Sequence, residues 1–369
     1  MNAKIIFFDV GHGDSMVIEV YAETTQYIVI DSQLKDDKTN PGVEYLKALG
    51  VKNIAALFVT HFHFDHINGM DDYFNTFEVE KLFIPPVLSS KDHLFREQVS
   101  NLKKKMLVSI KQTSSSHVIK NMSGLESIVR FICKNPDKIE ELQGKDVSIS
   151  IPSLPTLQGS AYLPLPRIKG EIRQTLIKGN YDFNRWSQLN DSSLALHFEL
   201  GNKSVLLTGD STLTQWYERK RQTDRDNRPH LDVQVLKVSH HGSKENNDEK
   251  LFSYLFSNND KSKIGIVSAN GISHPSPDVL SLVNKFGLRL FCTNLSNFCA
   301  NGLLSNASNL ESLPHCMQQS LSHYIDRKQT TCQGNIIVTL RAEDPICNVS
   351  TSNAFPCVYN TVPTQPTSV

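Results

Sequence analysis

The sequence predicts an α/β protein with β-sheets inside and helices outside, on three observations. Apolar runs of strand length fill two halves of the chain, helical-period segments separate them, and several of the strands end abruptly on histidine or aspartate. The 369 residues suffice for a full hydrophobic core with about a hundred to spare for insertions. Hydrophobic residues make up 39% and charged residues 21%, and 38 Lys and Arg balance 38 Asp and Glu, which excludes a disordered or fibrous chain and argues against a protein that coats DNA regardless of sequence.

Residues 4–10, 15–20 and 25–30 are rich in Ile, Val and Phe and read as an opening β-meander. A helix follows the Asn-Pro-Gly turn over 40–49, and 54–59 is a short buried strand running into His61. A helix opening near Asp65 is expected to carry 68–74, and 79–84 is a strand stopped by Pro85 and Pro86. Residues 89–142 have helical spacing and read as an insertion or as outer helices of a layered domain. Strand periodicity returns at 146–151; residues 155–188 read as loops with room for one short strand. Strands are then expected at 193–199, 204–208, 233–238, 264–268, 288–292 (an edge) and 335–340, with helices at 212–222 and 277–285. The polar stretch 294–331 reads as a second insertion and 343–369 as a poorly ordered extension, leaving one domain over 1–342.

Seven cysteines, an odd number with no C-x-x-C pair, point to reduced thiols. No run of about 18 apolar residues occurs, so the expected location is cytoplasmic, without membrane insertion.

The chemistry is concentrated in THFHFDHING, residues 60–69. His61 and His63 project from one side of extended backbone, and Asp65 and His66 follow where the chain turns into a helix. Four ligand-type side chains in six residues suit two adjacent divalent ions, zinc ahead of manganese or iron given imidazole with carboxylate and no nearby cysteine. The alternative, histidines that only satisfy core hydrogen bonds, would have to bury all four beside one strand. VLLTGDS (205–211) and LKVSHHGS (236–243) repeat the device: a strand ending in Asp210, and a strand ending in His240 and His241 before a glycine. Asp210 as a mere helix cap is the rival reading.

These motifs, with DVGHGDS (9–15), NDSSLAL (190–196) and SANGISHPSPDVL (268–280), resemble the metallo-β-lactamase superfamily, whose defining pattern is H-x-H-x-D-H, and within it the soluble hydrolase domain of the ComEC/Rec2 competence proteins and their stand-alone relatives. The resemblance implies a four-layer αββα sandwich with insertions. It implies that His61 and His63 hold one metal, that Asp65 and His66 hold the other, and that Asp210 bridges them. His241 completes the second site in preference to His240, which then faces a substrate phosphate. The superfamily's usual middle histidine is replaced by Asn190, Asp191, Ser192 and Ser193, which makes Asp191 or water the candidate further ligand of the first metal. His12 stands where the family pattern has glutamine. His12 and Asp14 are expected to support the ligands from behind, Asp14 by accepting from a ligand imidazole. An ordinary hairpin turn is the alternative.

The reaction implied is hydrolysis by a metal-activated water, with Asp65 orienting the water and His240, Lys237, Ser243 and His274 meeting the substrate. Lys237 also reads as an outward surface lysine and His274 as a plain cap-region histidine. A phosphodiesterase or nuclease is the first expectation, with nucleic acid or nucleotide as substrate. Hydrolysis of another ester or an amide, and a module acting within a multi-protein defence or regulatory system, are the alternatives; a protein partner or self-association is left open. Residues 173–186, with Lys178 and Arg185, and 216–228 are basic and aromatic and read either as a nucleic-acid channel or, for the second, as a solvated helix face with internal charge pairs.

Overall fold

The computed structural model describes residues 2–85, 116–142, 146–162, 189–200, 203–257, 262–270, 273–296, 299, 332–353 and 357. Two sheets stack face to face with helices on both outer faces, the four-layer αββα sandwich of the metallo-β-lactamase type with extra elements.

The first sheet begins with the expected meander, β1 (Asn2–Phe7), β2 (Ser15–Tyr21) and β3 (Thr25–Ser32), all antiparallel. It continues in parallel through β4 (Asn53–Phe58), β5 (Glu78–Ile84) and β6 (Ile139–Glu141). The second sheet holds β7 (Asp146–Ile149), β8 (Gln158–Tyr162), β9 (Ala195–Leu200), β10 (Lys203–Leu207), β11 (Val235–Lys237), β12 (Ile264–Val267) and β13 (Arg289–Cys292). Its last four strands are parallel, and β13 is the expected edge. β14 (Ile336–Leu340) returns to pair with β1, and β15 (Asn348–Thr351) adds the outermost strand of the first sheet.

Between the sheets lies a core built from Ile5, Ile18, Ile28, Phe58, Phe83, Leu196, Phe198, Val205 and Ile266. On the outer face of the first sheet pack α1 (Pro41–Ala48), α2 (Phe64–Ile67), α3 (Met70–Thr76) and α4 (Ser116–Lys134) through Val43, Leu46, Ile67, Tyr73, Ile128 and Ile132. On the second sheet α5 (Leu213–Arg225), α6 (Glu249–Leu255) and α7 (Pro277–Lys285) do the same through Trp216, Phe252 and Val283. Helix starts follow the cap chemistry: Asn40, Asp248 and Ser276 accept from the backbone of α1, α6 and α7, and Thr212 with Gln215 forms a capping box on α5.

Three expectations are corrected, and one helix is added. The helix expected through 68–74 is two helices, because the Asp65 carbonyl accepts from Asp14 N (3.0 Å) and Gly69 N donates to Ser32 O (2.8 Å), so the helical bond between Asp65 and Gly69 is never made. Within 89–142, Ile139–Glu141 is a strand of the main sheet. Asn348–Thr351, in the segment expected to be poorly ordered, is a strand because its backbone completes the edge of β14. The short helix α6 went unread, although Asp248 followed by Leu251, Phe252 and Leu255 carried its signal. Residues 86–115, 163–188, 300–331 and 358–369 lie outside the described residues, and with them Lys178, Arg185 and the segment 173–186.

No helix among the described residues is long and apolar enough to cross a membrane. In the basic segment 216–228, which spans most of α5 and the turn after it, most charges are paired within the chain. Lys220 pairs with Asp224 (2.6 Å), Arg221 with Glu218 (2.5 Å), and Arg228 with Asp146 and Asp226 (3.0 and 3.1 Å). Trp216 is buried, its indole N–H donating to Ser211 Oγ (2.8 Å), so it offers no stacking surface to a base.

Candidate metal centre

The C-terminal ends of β3, β4, β10, β11 and β12 meet at one rim of the sandwich, where the parallel strands release their side chains into loops. Two groups of ligand atoms form there, each with all its atoms within 4.8 Å of one another: His61, His63 and Asp210; and Asp65, His66, Asp210 and His241. Asp210 belongs to both. His240 belongs to neither.

Three of the imidazoles, those of His61, His66 and His241, are each aimed by a hydrogen bond on Nδ1. His66 Nδ1 donates to Asp31 Oδ2 (2.7 Å), and His241 Nδ1 donates to Ser268 O (2.9 Å), leaving both Nε2 atoms directed inward. Thr60 Oγ1 donates to the same Asp31 oxygen (2.6 Å) and meets His61 Nδ1 at 3.1 Å. Asp31 therefore anchors two imidazoles, one directly and one through Thr60. Sequence reasoning missed it; the signal was an apolar strand, YIVIDS, ending in a carboxylate.

The turn 240–242 has three successive residues in the left-handed region, with φ of 49°, 53° and 84° for His240, His241 and Gly242. Non-glycine residues there cost about 1–2 kcal/mol each, so the surroundings must hold the turn. Asn247 Nδ2 does so by donating to Ser239 O and Ser243 O (2.9 and 2.8 Å). Gly242 is required as glycine, since an added Cβ would lie 2.7 Å from Pro275 Cβ. Asn246 serves both sides: its Nδ2 donates to Asp210 O and Ser211 O (3.2 and 3.1 Å), which turns its Oδ1 toward His240 Nδ1 (2.8 Å). His240 Nδ1 is thereby the protonated nitrogen, and Nε2 faces the open site, 3.6 Å from Asp210 Oδ2. Neither asparagine was singled out in the sequence.

Other expected residues fall differently. His12 lies at the mouth, more than half exposed, with Nε2 3.4 Å from Asp65 Oδ2 and its ring edge-on to His241. His274 also sits at this rim, its ring 5.9 Å from that of His240, and burial beside His240 pushes its pKa down to about 4. Asp14 is buried 3.8 Å from His66 Nδ1, too far for the expected hydrogen bond; its partner is the Lys237 ammonium. Lys237 is fully buried, so it is neither a phosphate contact nor a surface lysine: the strand alternation at the end of β11 turns it inward. Ser243 is 4% exposed and belongs to the left-handed turn, not to the substrate face. Asp191 accepts from Thr212 Oγ1 (2.8 Å) at the start of α5 and stands in neither ligand group. In the stretch that replaces the middle histidine, Ser193 Oγ accepts from Asp210 N (2.9 Å) and so supports the shared carboxylate.

The donor set fits a divalent cation. His66 Nε2 and Asp210 Oδ1 are buried without a hydrogen-bond partner and face each other at 3.5 Å. Burial opposes ionisation of Asp65 and Asp210, but His66 and His241 outweigh it and hold both carboxyls well below the usual range. Burial likewise opposes charge on His66, yet Asp210, Asp65 and Asp31 raise its pKa well above 6.5, and His241 is raised by Asp210 and Asp65. In the metal-free protein these imidazolium groups therefore stabilise the fold fully below about pH 6.5 and stop doing so as pH rises through their raised values. A bound cation requires both imidazoles neutral. Metal-stripped protein should lose thermal stability from pH 7 to 9. Affinity for zinc, measured by chelator competition, should instead tighten by about tenfold or more between pH 6.5 and 8. Affinity flat over that interval would contradict the assignment of His66 and His241.

Residues 8–107 match the family model described as the metallo-beta-lactamase superfamily. The match takes in 100 of the 369 residues; together with the four-layer fold and the clusters of His and Asp, it supports a metal-dependent hydrolase. The chain is 25% identical over 313 residues to ComE operon protein 3 of Bacillus subtilis (strain 168); the alignment takes in 79% of this chain and 32% of that protein, so the chain spans about a third of its relative's length. A solved structure of a CmlA beta-hydroxylase mutant shares 12% identity at a TM-score of 0.33, covering 78% of this chain and 45% of that one.

Proposed function

We propose that the protein is a phosphodiesterase that uses a water activated by one or two divalent cations, zinc ahead of manganese or iron, with nucleic acid or a nucleotide as its substrate. The observation that carries this reading is the Asp210 carboxylate shared between two groups of ligand atoms, with a half-exposed His240 beside it on the open side. A pair of divalent ions bound there would bring the pKa of a bound water toward neutrality and offset charge on the non-bridging oxygens of a phosphodiester.

The chain's own contributions are positional. Asp31, Thr60 and Ser268 fix which nitrogen of His66, His61 and His241 points inward. Asp65 Oδ2, the ligand carboxylate nearest the mouth, is placed to orient an attacking water, and His12 at 3.4 Å leans on the same oxygen. His240 keeps its proton on Nδ1 through Asn246, so its Nε2 is the atom that accepts or returns a proton on the substrate side. The first group offers three ligand atoms and the second four, which supports tighter retention at the second.

The test compares wild type with Asp65→Ala on bis-p-nitrophenyl phosphate, single-stranded DNA and RNA, each with zinc, manganese or iron added. Metal-dependent cleavage of diesters by wild type, lost by at least ~10²-fold in the variant, is expected. Cleavage of the small diester alone would move the substrate away from nucleic acid. Hydrolysis of carboxylic esters or amides with no action on any diester would overturn the proposal.

A further inference from the structure

We infer that Lys237 is a positioning residue whose fixed positive charge, buried behind the metal centre, sets how tightly that centre holds its cation. The inference rests on the metal-binding reading above and goes beyond it.

A third group of ligand atoms lies behind the other two: Asp14, Asp31 and His66, all buried, with atoms within 4.8 Å of one another. This group already has its cation in the chain. Lys237, the last residue of β11 and fully buried, puts its ammonium on Asp14 and donates to Gly209 O at 3.2 Å. Both contacts lead to the ligands. Gly209, with φ of 53°, is the turn that presents Asp210, and Asp14 lies 3.8 Å from His66 Nδ1 and 3.9 Å from His241 Nδ1.

An ammonium taken out of water is costly unless its surroundings are strongly negative. Here they are: burial opposes the charge, and Asp14, Asp210 and Asp31 hold it, raising the lysine pKa. A neutral side chain would fill the same space between strand and loop. What lysine adds is a unit of charge that partly cancels the carboxylates around a divalent ion, and Coulomb coupling to a divalent ion is twice that to a monovalent one. The lysine thus weakens the pull on the cation while Asp14 strengthens it.

Breaking the pair from either end tells charge from scaffolding. Lys237→Gln, Asp14→Asn and the double variant would be purified metal-free, checked for folding by thermal melts, and titrated with zinc against a chelating dye. If the charge matters, Lys237→Gln binds zinc about tenfold tighter, Asp14→Asn about tenfold weaker, and the double variant, with wild-type net charge, within about threefold of wild type. A purely structural pair would shift both single variants in the same direction, and that result, or no shift in either, overturns the inference. Should the single variants not fold, the double variant still decides: zinc affinity changed by more than about tenfold rejects it. Wild type binding no zinc would instead reject the metal-binding reading itself.

Discussion

Replacing Asp210 by asparagine is expected to cost the protein both of the proposed cation positions at once. Its carboxylate is the one group shared by the His61–His63 set and the Asp65–His66–His241 set, and Oδ1 is buried with no hydrogen bond to hold it otherwise. The amide keeps the shape but loses the charge, leaving two and three ligand atoms where there were three and four. Metal retained after desalting, read by elemental mass spectrometry, should fall to background. Diesterase activity should fall by ~10³-fold or more, beyond the ~10- to 100-fold that losing a supporting hydrogen bond costs. Metal content unchanged from wild type would remove Asp210 from the proposed site.

The neighbouring histidines should separate in kind. His241 is buried, with Nδ1 tied to Ser268 O and Nε2 3.1 Å from Asp65 Oδ2; His240 stands half-buried on the open side with Nε2 unengaged by any backbone atom. His241→Ala should therefore lose metal and activity together. His240→Ala should keep its metal while turnover falls by ~10²-fold or more, the scale of a lost contact to the transition state. The reverse pattern would exchange their roles, and retention of metal and activity in both would sink the assignment. Because each occupies a left-handed position, His→Gly at either site is the control that removes the side chain while relieving the backbone.

Much of this centre was legible because its chemistry is local. His61, His63, Asp65 and His66 sit within six residues, and Asp210 and His241 each close an apolar run at a strand end, so pattern alone brought the six side chains under suspicion. Asp31 obeyed the same rule without being noticed, as its strand ends in one isolated carboxylate. Elements with strong caps or full strand runs, such as Pro277–Lys285 and Asn53–Phe58, were likewise readable. Ile139–Glu141 and Asn348–Thr351 were not, because three or four mixed residues become strands only when a sheet edge is there to pair them.

By itself the sequence determined the layered α/β class and the strand ends that carry the histidines and aspartates of the candidate centre. Its periodicities report which residues share a face, and its turns where the chain leaves a strand. Only the tertiary structure decided where each polar side chain found its partner. Lys237 turned inward to Asp14 instead of outward to phosphate, Asp191 was taken by Thr212, and Asn246 set the proton on His240. Lys237 and Asp14 come from distant segments and Asp191 and Thr212 from different elements, while Asn246 reaches His240 across one turn that only the fold closes. A buried charge takes whatever counter-charge the folded chain brings within a few ångströms, and local spacing carries no record of that meeting.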